Sequence, residues 1–124
     1  MLHPVRLFKS FKYALEGIYL GLKSDHNLKL HFLVAFIVMV VGYLLKISNV
    51  EFMFVMAAIT FVIFAELINT AIEELTNLIV QEHRREAKIA KDVSAAAVLF
   101  AAVFALVIGI IVFLPKILVL ISSL

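Results

Sequence analysis

The sequence predicts an all-α integral membrane protein with three transmembrane helices and an N-terminal amphipathic surface helix. Its 124 residues are 65% hydrophobic, and the mean hydropathy of +1.13 is far above that of a soluble domain. Three long apolar stretches, at about 28–46, 51–80 and 88–114, are long enough to cross a bilayer as helices. We expect residues 1–124 to form a single domain.

The first segment, residues 1–24, is predicted to be a helix in the membrane interface. Apolar residues recur at spacings of three and four, which places them on one side of a helix: Val5, Phe8, Phe11, Leu15, Ile18 and Leu22. Basic and polar residues occupy another side, a pattern typical of interfacial helices. No apolar region with a small-residue cleavage site follows, so this segment is not expected to be a cleaved signal peptide.

The spans are predicted from uncharged runs and their flanks. Residues 30–45 carry no charge and lie between Lys29 and Lys46. Residues 93–114 are also uncharged and match the ~20 residues that cross ~30 Å of hydrocarbon. Pro115 is expected to end this third helix, because proline removes a backbone donor and crowds the preceding turn.

The distribution of basic residues predicts the orientation. Nine of the eleven Lys and Arg residues precede the first span or lie in the loop between the second and third spans. The positive-inside rule therefore places the N-terminus and the 82–92 loop in the cytoplasm and the C-terminus outside. The basic face suits anionic lipid headgroups or a polyphosphate, and no nucleic-acid partner is expected. With no cysteine, thiolate chemistry is excluded.

A polar stripe on the second span carries the candidate chemistry. At about 100° per residue its members project from one side of the helix: Glu66, Asn69, Thr70, Glu73 and Asn77. A charge at the bilayer centre costs roughly 2.5–3.5 kcal/mol, so it is seldom kept without a use. If the helix enters the membrane near Phe52, Glu66 lies about 21 Å along it and Glu73 about 32 Å. The stripe would thus connect lipid with cytosol, which suits a reaction between a lipid headgroup and a water-soluble reactant.

Residues from other segments are expected at the same depth. Asp25 and Glu73 are candidate Mg²⁺ ligands, because Mg²⁺ prefers oxygen ligands and often bridges nucleotide phosphates. Lys91 is a candidate to neutralise a transferring phosphoryl group. Glu66 is the candidate general base, since a carboxylate held away from water accepts a proton more readily near neutral pH.

Other interpretations stay open at this point. Glu66 could serve only as a hydrogen-bond partner for a neighbouring helix, and Lys88 and Lys91 could be positive-inside anchors. The histidines His26, His31 and His83 are expected to be interfacial residues and not metal ligands, because no two have a metal-binding spacing on one helix.

Two further functions compete with an enzyme. In a proton or cation carrier, one carboxylate would lie near the midplane without Lys88, Lys91 and Asp92 beside it. In a structural subunit the stripe would only join helices, and Glu66→Gln should be tolerated.

The polar residues also form a pattern that resembles a known family. Its core is Glu66-Leu67-Ile68-Asn69-Thr70-Ala71-Ile72-Glu73, followed by Ala90-Lys91-Asp92 and an alanine-rich segment. This resembles the signature of the bacterial integral-membrane diacylglycerol kinase and undecaprenol kinase family over nearly the whole chain. The resemblance implies a homotrimer of three-span chains, each with a surface helix, that transfers the γ-phosphate of MgATP to a lipid alcohol.

The resemblance assigns roles to individual residues. Glu66 matches the general base, and Asp25 and Glu73 match the metal ligands. The ATP-contacting positions are Arg6, Tyr13, Asp25, Glu73, Glu82, His83, Arg84, Lys91 and Asp92. The lipid-contacting positions are Arg6, Glu66, Asn69 and Ala95. Two residues depart from the pattern, since Asp25 replaces a commoner Glu and Asn77 replaces a commoner Asp.

The expected acceptor is undecaprenol, with diacylglycerol as the alternative. The Asp25-x-Asn27-x-x-x-His31 pattern and the segment Phe113-Leu114-Pro115-Lys116 look like the undecaprenol kinase branch. The diacylglycerol branch has Glu at the position of His31. Because three spans enclose little interior, we expect each site to be completed across a subunit interface.

Overall fold

The computed structural model describes residues 3–79, 82 and 84–124. These residues form four helices: α1 (Pro4–Ser24), α2 (His26–Leu44), α3 (Asn49–Ile79) and α4 (Arg85–Ser122). Within the described part of the chain, α2, α3 and α4 are each long and apolar enough to cross a bilayer. The prediction of an all-helical protein with three spans is confirmed. The placement of α1 on the membrane surface and the trimer stay predictions.

One residue, Asp25, separates α1 from α2. Its backbone is extended, and its Oδ1 accepts a 2.9 Å hydrogen bond from the Asn27 backbone N–H, as a helix N-cap does. Gly21 is buried at this corner, where an added Cβ would lie 3.0 Å from Leu28 Cδ2 and 3.6 Å from Leu67 Cδ2. The last turn of α1 therefore lies directly on α2 and α3.

The turn between α2 and α3 is closed by local hydrogen bonds. Lys46 adopts a positive φ of 55° after α2 ends. Ser48 and Glu51 then cap α3 reciprocally, since the Glu51 N–H donates to Ser48 Oγ and the Ser48 N–H donates to Glu51 Oε1, each at 3.1 Å. Glu51 Oε1 also lies 3.3 Å from Lys116 Nζ of α4. This ion pair ties the start of α3 to the far half of α4.

Helices α3 and α4 pack along most of their length, whereas α2 contacts α3 over a much smaller surface. The α3–α4 contact is built on small and medium side chains, with Val62 and Ala65 of α3 packed around a fully buried Ala101 of α4. Small residues allow helix backbones to approach closely in a membrane. The α3–α4 pair is therefore the scaffold against which the site is built.

The prediction that Pro115 ends the third span helix is wrong. Helix α4 continues through Pro115 to Ser122. Proline removes one backbone hydrogen bond and crowds the preceding turn, which can kink a helix without ending it. The ion pair of the adjacent Lys116 with Glu51 also holds this part of α4 against α3.

We expect Ala101→Leu to destabilise the protein, because the added methylenes have no space between α3 and α4. Overpacking of this kind typically costs about 1–3 kcal/mol. The matched control is Ala97→Leu, the same change at an exposed position one turn earlier on α4. Thermal unfolding of both variants in detergent micelles measures the difference. Equal midpoints for the two variants would contradict the packing described for Ala101.

Candidate functional site

The polar stripe of α3 becomes a buried cluster where α3 meets α2 and α4. Glu66 is 1% exposed and Asn69 is 7% exposed. On α4, Ser94 is 6% exposed and faces them. The stripe that the helical period predicts therefore points into the protein, and each neighbouring segment supplies polar contacts to it.

Glu66 lies among charged or polar side chains from three segments. His31 of α2 places its Nε2 3.8 Å from Glu66 Oε2. Glu73 follows two turns later on the same face of α3, and Asp25 contacts Thr70, one turn after Glu66. His31 was expected to be an interfacial residue, and its position beside Glu66 depends on how α2 docks against α3, for which the sequence pattern holds no signal.

Asp25 is joined to the stripe through Thr70. The Thr70 hydroxyl donates a 2.6 Å hydrogen bond to Asp25 Oδ2, and Thr70 lies one helical turn after Glu66. The corner between α1 and α2 is thereby attached to the middle of α3. Asp25 and Glu66 are thus brought together within one chain.

Asn69 is held between two side chains. Ser94 Oγ donates to Asn69 Oδ1 at 2.7 Å, and Asn69 Nδ2 donates to Glu73 Oε1 at 3.4 Å. The residue patterns did not single out Ser94. The signal that could have found it is its isolation, because it is the sole polar side chain in the apolar run 93–114.

The two lysines at the start of α4 point in different directions. Lys91 turns toward α3, where its Nζ donates to Asn77 Oδ1 at 2.5 Å. Lys88 and Asp92 instead form an ion pair with each other, and both side chains are exposed. Lys91 therefore extends the stripe, whereas Asp92 does not join the buried cluster. The amide oxygen of Asn77 provides Lys91 with an acceptor, as a carboxylate would.

Several predicted site residues stay outside the cluster. Arg6 lies about 22 Å along α1 from the buried corner at Gly21, by the helical rise. Arg6 and Tyr13 are exposed, and the described residues offer their side chains no hydrogen bond or ion pair. The other predicted residues outside the cluster are the exposed Glu82, Arg84 and Ala95. His83, also predicted to contact ATP, lies outside the described residues.

An apolar groove runs along the spans and reaches the cluster. It encloses about 590 Å³ between α2, α3 and α4, and its lining extends from His31 at one end to Ile117 at the other. The groove exists because α2 leaves most of the α3–α4 pair uncovered. Because His31 lies 3.8 Å from Glu66, this end of the groove reaches the buried cluster.

A second groove, of about 640 Å³, lies between α1 and α3. Its lining is more polar and includes Lys23 and Ser24 of α1 and Thr70 of α3. Because Thr70 donates to Asp25, this second groove approaches the Asp25 side of the cluster, whereas the apolar groove approaches its His31 side.

Fold and site together define a multi-pass membrane protein with a cluster of carboxylates at the end of an apolar groove. Residues 12–113 match the family model described as prokaryotic diacylglycerol kinase. An undecaprenol kinase of Bacillus subtilis is 40% identical over 111 residues, which cover 90% of this chain and 90% of that protein. A diacylglycerol kinase of Synechocystis sp. is 34% identical over 113 residues, covering 90% of this chain and 65% of that protein. The chain belongs to the prokaryotic diacylglycerol kinase family, the family that its motifs resemble.

We expect Thr70→Val to destabilise the protein, because Val keeps the shape of Thr and removes the hydroxyl that donates to Asp25. A hydrogen bond to a charged group contributes roughly 1.5–3 kcal/mol, and the lower end applies here because Asp25 is half-buried. Thr70→Ser keeps the hydroxyl and should unfold close to the parent. Thermal unfolding in detergent micelles gives the comparison, and a Val variant as stable as the Ser variant would show that this bond contributes little.

Proposed function

We propose that this protein is an ATP- and Mg²⁺-dependent lipid kinase that transfers the γ-phosphate of ATP to undecaprenol and forms undecaprenyl phosphate. Family membership supports the phosphotransferase class. The 40% identity with an undecaprenol kinase supports the acceptor. The observation in the structure that carries the proposal is the burial of Glu66 at the end of an apolar groove, where the hydroxyl of a lipid alcohol would meet a carboxylate.

In the proposed reaction Glu66 is the general base. The lipid hydroxyl oxygen forms a bond to the γ-phosphorus while its proton moves to the Glu66 carboxylate. The bond from the γ-phosphorus to the oxygen that bridges the β- and γ-phosphates breaks, and ADP leaves with that oxygen. Burial of Glu66 excludes water, which would otherwise compete with the lipid as acceptor.

The donor set fits Mg²⁺. Asp25 and Glu73 provide carboxylate oxygens, the ligand type that Mg²⁺ prefers, and a nucleotide-bound Mg²⁺ takes only one or two protein carboxylates. Each of the two carboxylates accepts hydrogen bonds in the cluster and retains further lone pairs. When bound, Mg²⁺ would neutralise charge on the nucleotide phosphates. In the described residues no group of three or more His, Asp or Glu side chains is arranged to hold a metal ion on its own.

The remaining nucleotide contacts are proposed to need a second chain. Arg6 and Tyr13 lie on the exposed part of α1, so we assign them to the site of a neighbouring chain in a homotrimer. Lys91, at the end of the stripe, would meet the transferring phosphoryl group. The proposed contacts with the rest of the nucleotide come from the start of α4 and the residues before it, namely Glu82, His83, Arg84 and Asp92.

The proposed topology follows from the basic residues. The N-terminus, the 82–92 loop and the carboxylate cluster would face the cytoplasm, where ATP is present, and α1 would lie on that membrane face. In this arrangement the whole chain acts as one lipid-kinase domain in the cytoplasmic membrane. Arg6 and Ala95, together with Glu66 and Asn69, are the proposed contacts with the lipid.

Diacylglycerol is the second candidate acceptor. The relative from Synechocystis sp. that is 34% identical is a diacylglycerol kinase. Its product would be phosphatidic acid, and the same Glu66 would accept the proton of the diacylglycerol hydroxyl. Turnover with the two lipids compared side by side separates the candidates.

We expect Glu66→Gln to fold and to lose nearly all phosphoryl transfer, because the amide keeps the shape of the side chain and cannot accept the proton. Loss of a general base typically costs 10²–10⁴-fold. The assay follows ADP release with undecaprenol and, separately, with diacylglycerol in mixed micelles. Glu16→Gln, the same change at an exposed position on α1, is the control. Near-parental turnover by Glu66→Gln would remove Glu66 from the chemistry.

Asp25→Ala and Glu73→Ala should each raise the Mg²⁺ concentration needed for half-maximal activity, because each removes one of two carboxylates proposed to share the cation. The maximal rate should fall as well. Asp25→Glu should be mild, since it keeps the carboxylate at that position. The measurement is a Mg²⁺ titration at saturating ATP and lipid. Parental titration curves for both alanine variants would exclude a shared metal site.

A further inference from the structure

Ser94 is the polar group that α4 contributes to the buried cluster, and the proposed reaction does not use it. It lies in an otherwise apolar run and is 6% exposed. A buried hydroxyl in a membrane helix needs a partner within the protein, because lipid supplies none. Its partner, Asn69, is a residue of the active-site stripe.

The hydrogen bond from Ser94 anchors the Asn69 side chain between α4 and Glu73. Ser94 Oγ lies 2.7 Å from Asn69 Oδ1 and 3.0 Å from the Lys91 carbonyl oxygen. The two ends of an amide differ, since the oxygen only accepts and the nitrogen only donates. When Ser94 occupies the oxygen, the NH₂ group of Asn69 is directed at Glu73 Oε1, 3.4 Å away.

Loss of the Ser94 hydroxyl would release this constraint. The Asn69 side chain could then adopt other rotamers, in which its NH₂ group no longer reaches Glu73 Oε1. Glu73 would lose the donor that holds its carboxylate in place. The position of Glu73 therefore depends on a hydroxyl on another helix.

We propose that Ser94 is a positioning residue, which holds the Asn69 amide so that Glu73 is aligned with Asp25 as a ligand for a divalent cation. Ser94 contacts neither the cation nor a substrate and acts through Asn69. The inference rests on the proposed function, because it takes Glu73 as a metal ligand. Residues that orient metal ligands typically change metal affinity or activity by 10–100-fold when they are replaced.

The test measures cation binding directly, without turnover. Mn²⁺ replaces Mg²⁺, and free Mn²⁺ is followed by electron paramagnetic resonance with the purified protein and a non-hydrolysable ATP analogue. Ser94→Ala should raise the Mn²⁺ dissociation constant by about tenfold. In activity assays it should raise the Mg²⁺ requirement in parallel.

A matched pair of variants isolates the hydroxyl from changes in packing. Thr and Val have nearly the same shape, so Ser94→Thr and Ser94→Val disturb the α3–α4 contact equally and differ in the hydroxyl alone. The Thr variant should bind Mn²⁺ about tenfold more tightly than the Val variant. This comparison also applies if the extra methyl group weakens both proteins. The proposal would be overturned if Ser94→Thr and Ser94→Val bound Mn²⁺ equally well and Ser94→Ala also bound it as tightly as the parent.

A double variant tests whether Ser94 acts through Asn69. In the absence of the amide there is nothing for Ser94 to orient, so Ser94→Ala combined with Asn69→Ala should bind Mn²⁺ no more weakly than Asn69→Ala alone. Full additivity of the two effects would exclude the route through Asn69. A parent protein that binds Mn²⁺ but phosphorylates neither undecaprenol nor diacylglycerol would instead refute the proposed function, and the positioning role would still be decided by the Mn²⁺ data.

Discussion

Hydrocarbon offers no hydrogen bonds, and this constraint shapes the rest of the structure. Within the described residues, the buried Asn69 and Ser94 and the half-buried Thr70 all have hydrogen-bond partners in the protein. For Asn69 that partner is Ser94 on α4, and for Thr70 it is Asp25 at the corner between α1 and α2. An unpaired polar group in this environment costs several kcal/mol. The polar contacts therefore fix the relative positions of the helices around Glu66, and they also bring the site residues together.

Apolar packing has a different consequence. Small side chains around Ala101 hold α3 and α4 together along their length, and α2 is left with much less contact. The space beside α2 becomes the apolar groove. Its two ends differ chemically, because the carboxylate cluster lies near His31 at one end and the Glu51–Lys116 ion pair lies toward the other.

The candidate site was predictable where it depends on one helix. Glu66, Asn69 and Glu73 share a face because the helical period is a local property of the backbone, and the structure keeps them together. Two partners of that face, Asp25 and Lys91, were expected at its depth, but two others were not predictable. His31 reaches Glu66 and Ser94 reaches Asn69 only through the docking of separate helices. At the start of α4, Asp92 forms an exposed ion pair with Lys88, which lies one turn earlier on the same helix. The resemblance had placed Asp92 near the nucleotide.

The sequence by itself determined the three spans and the polar face of α3, because hydropathy and periodicity are both local. The tertiary structure alone decided that α4 is the main partner of α3, that α2 stands apart, and that α4 continues beyond Pro115. The physical reason is that lipid tails are as apolar as Leu or Val, so hydrophobicity does not distinguish a helix face that meets lipid from one that meets another helix. That choice is made by close packing of small residues and by the pairing of a few polar side chains.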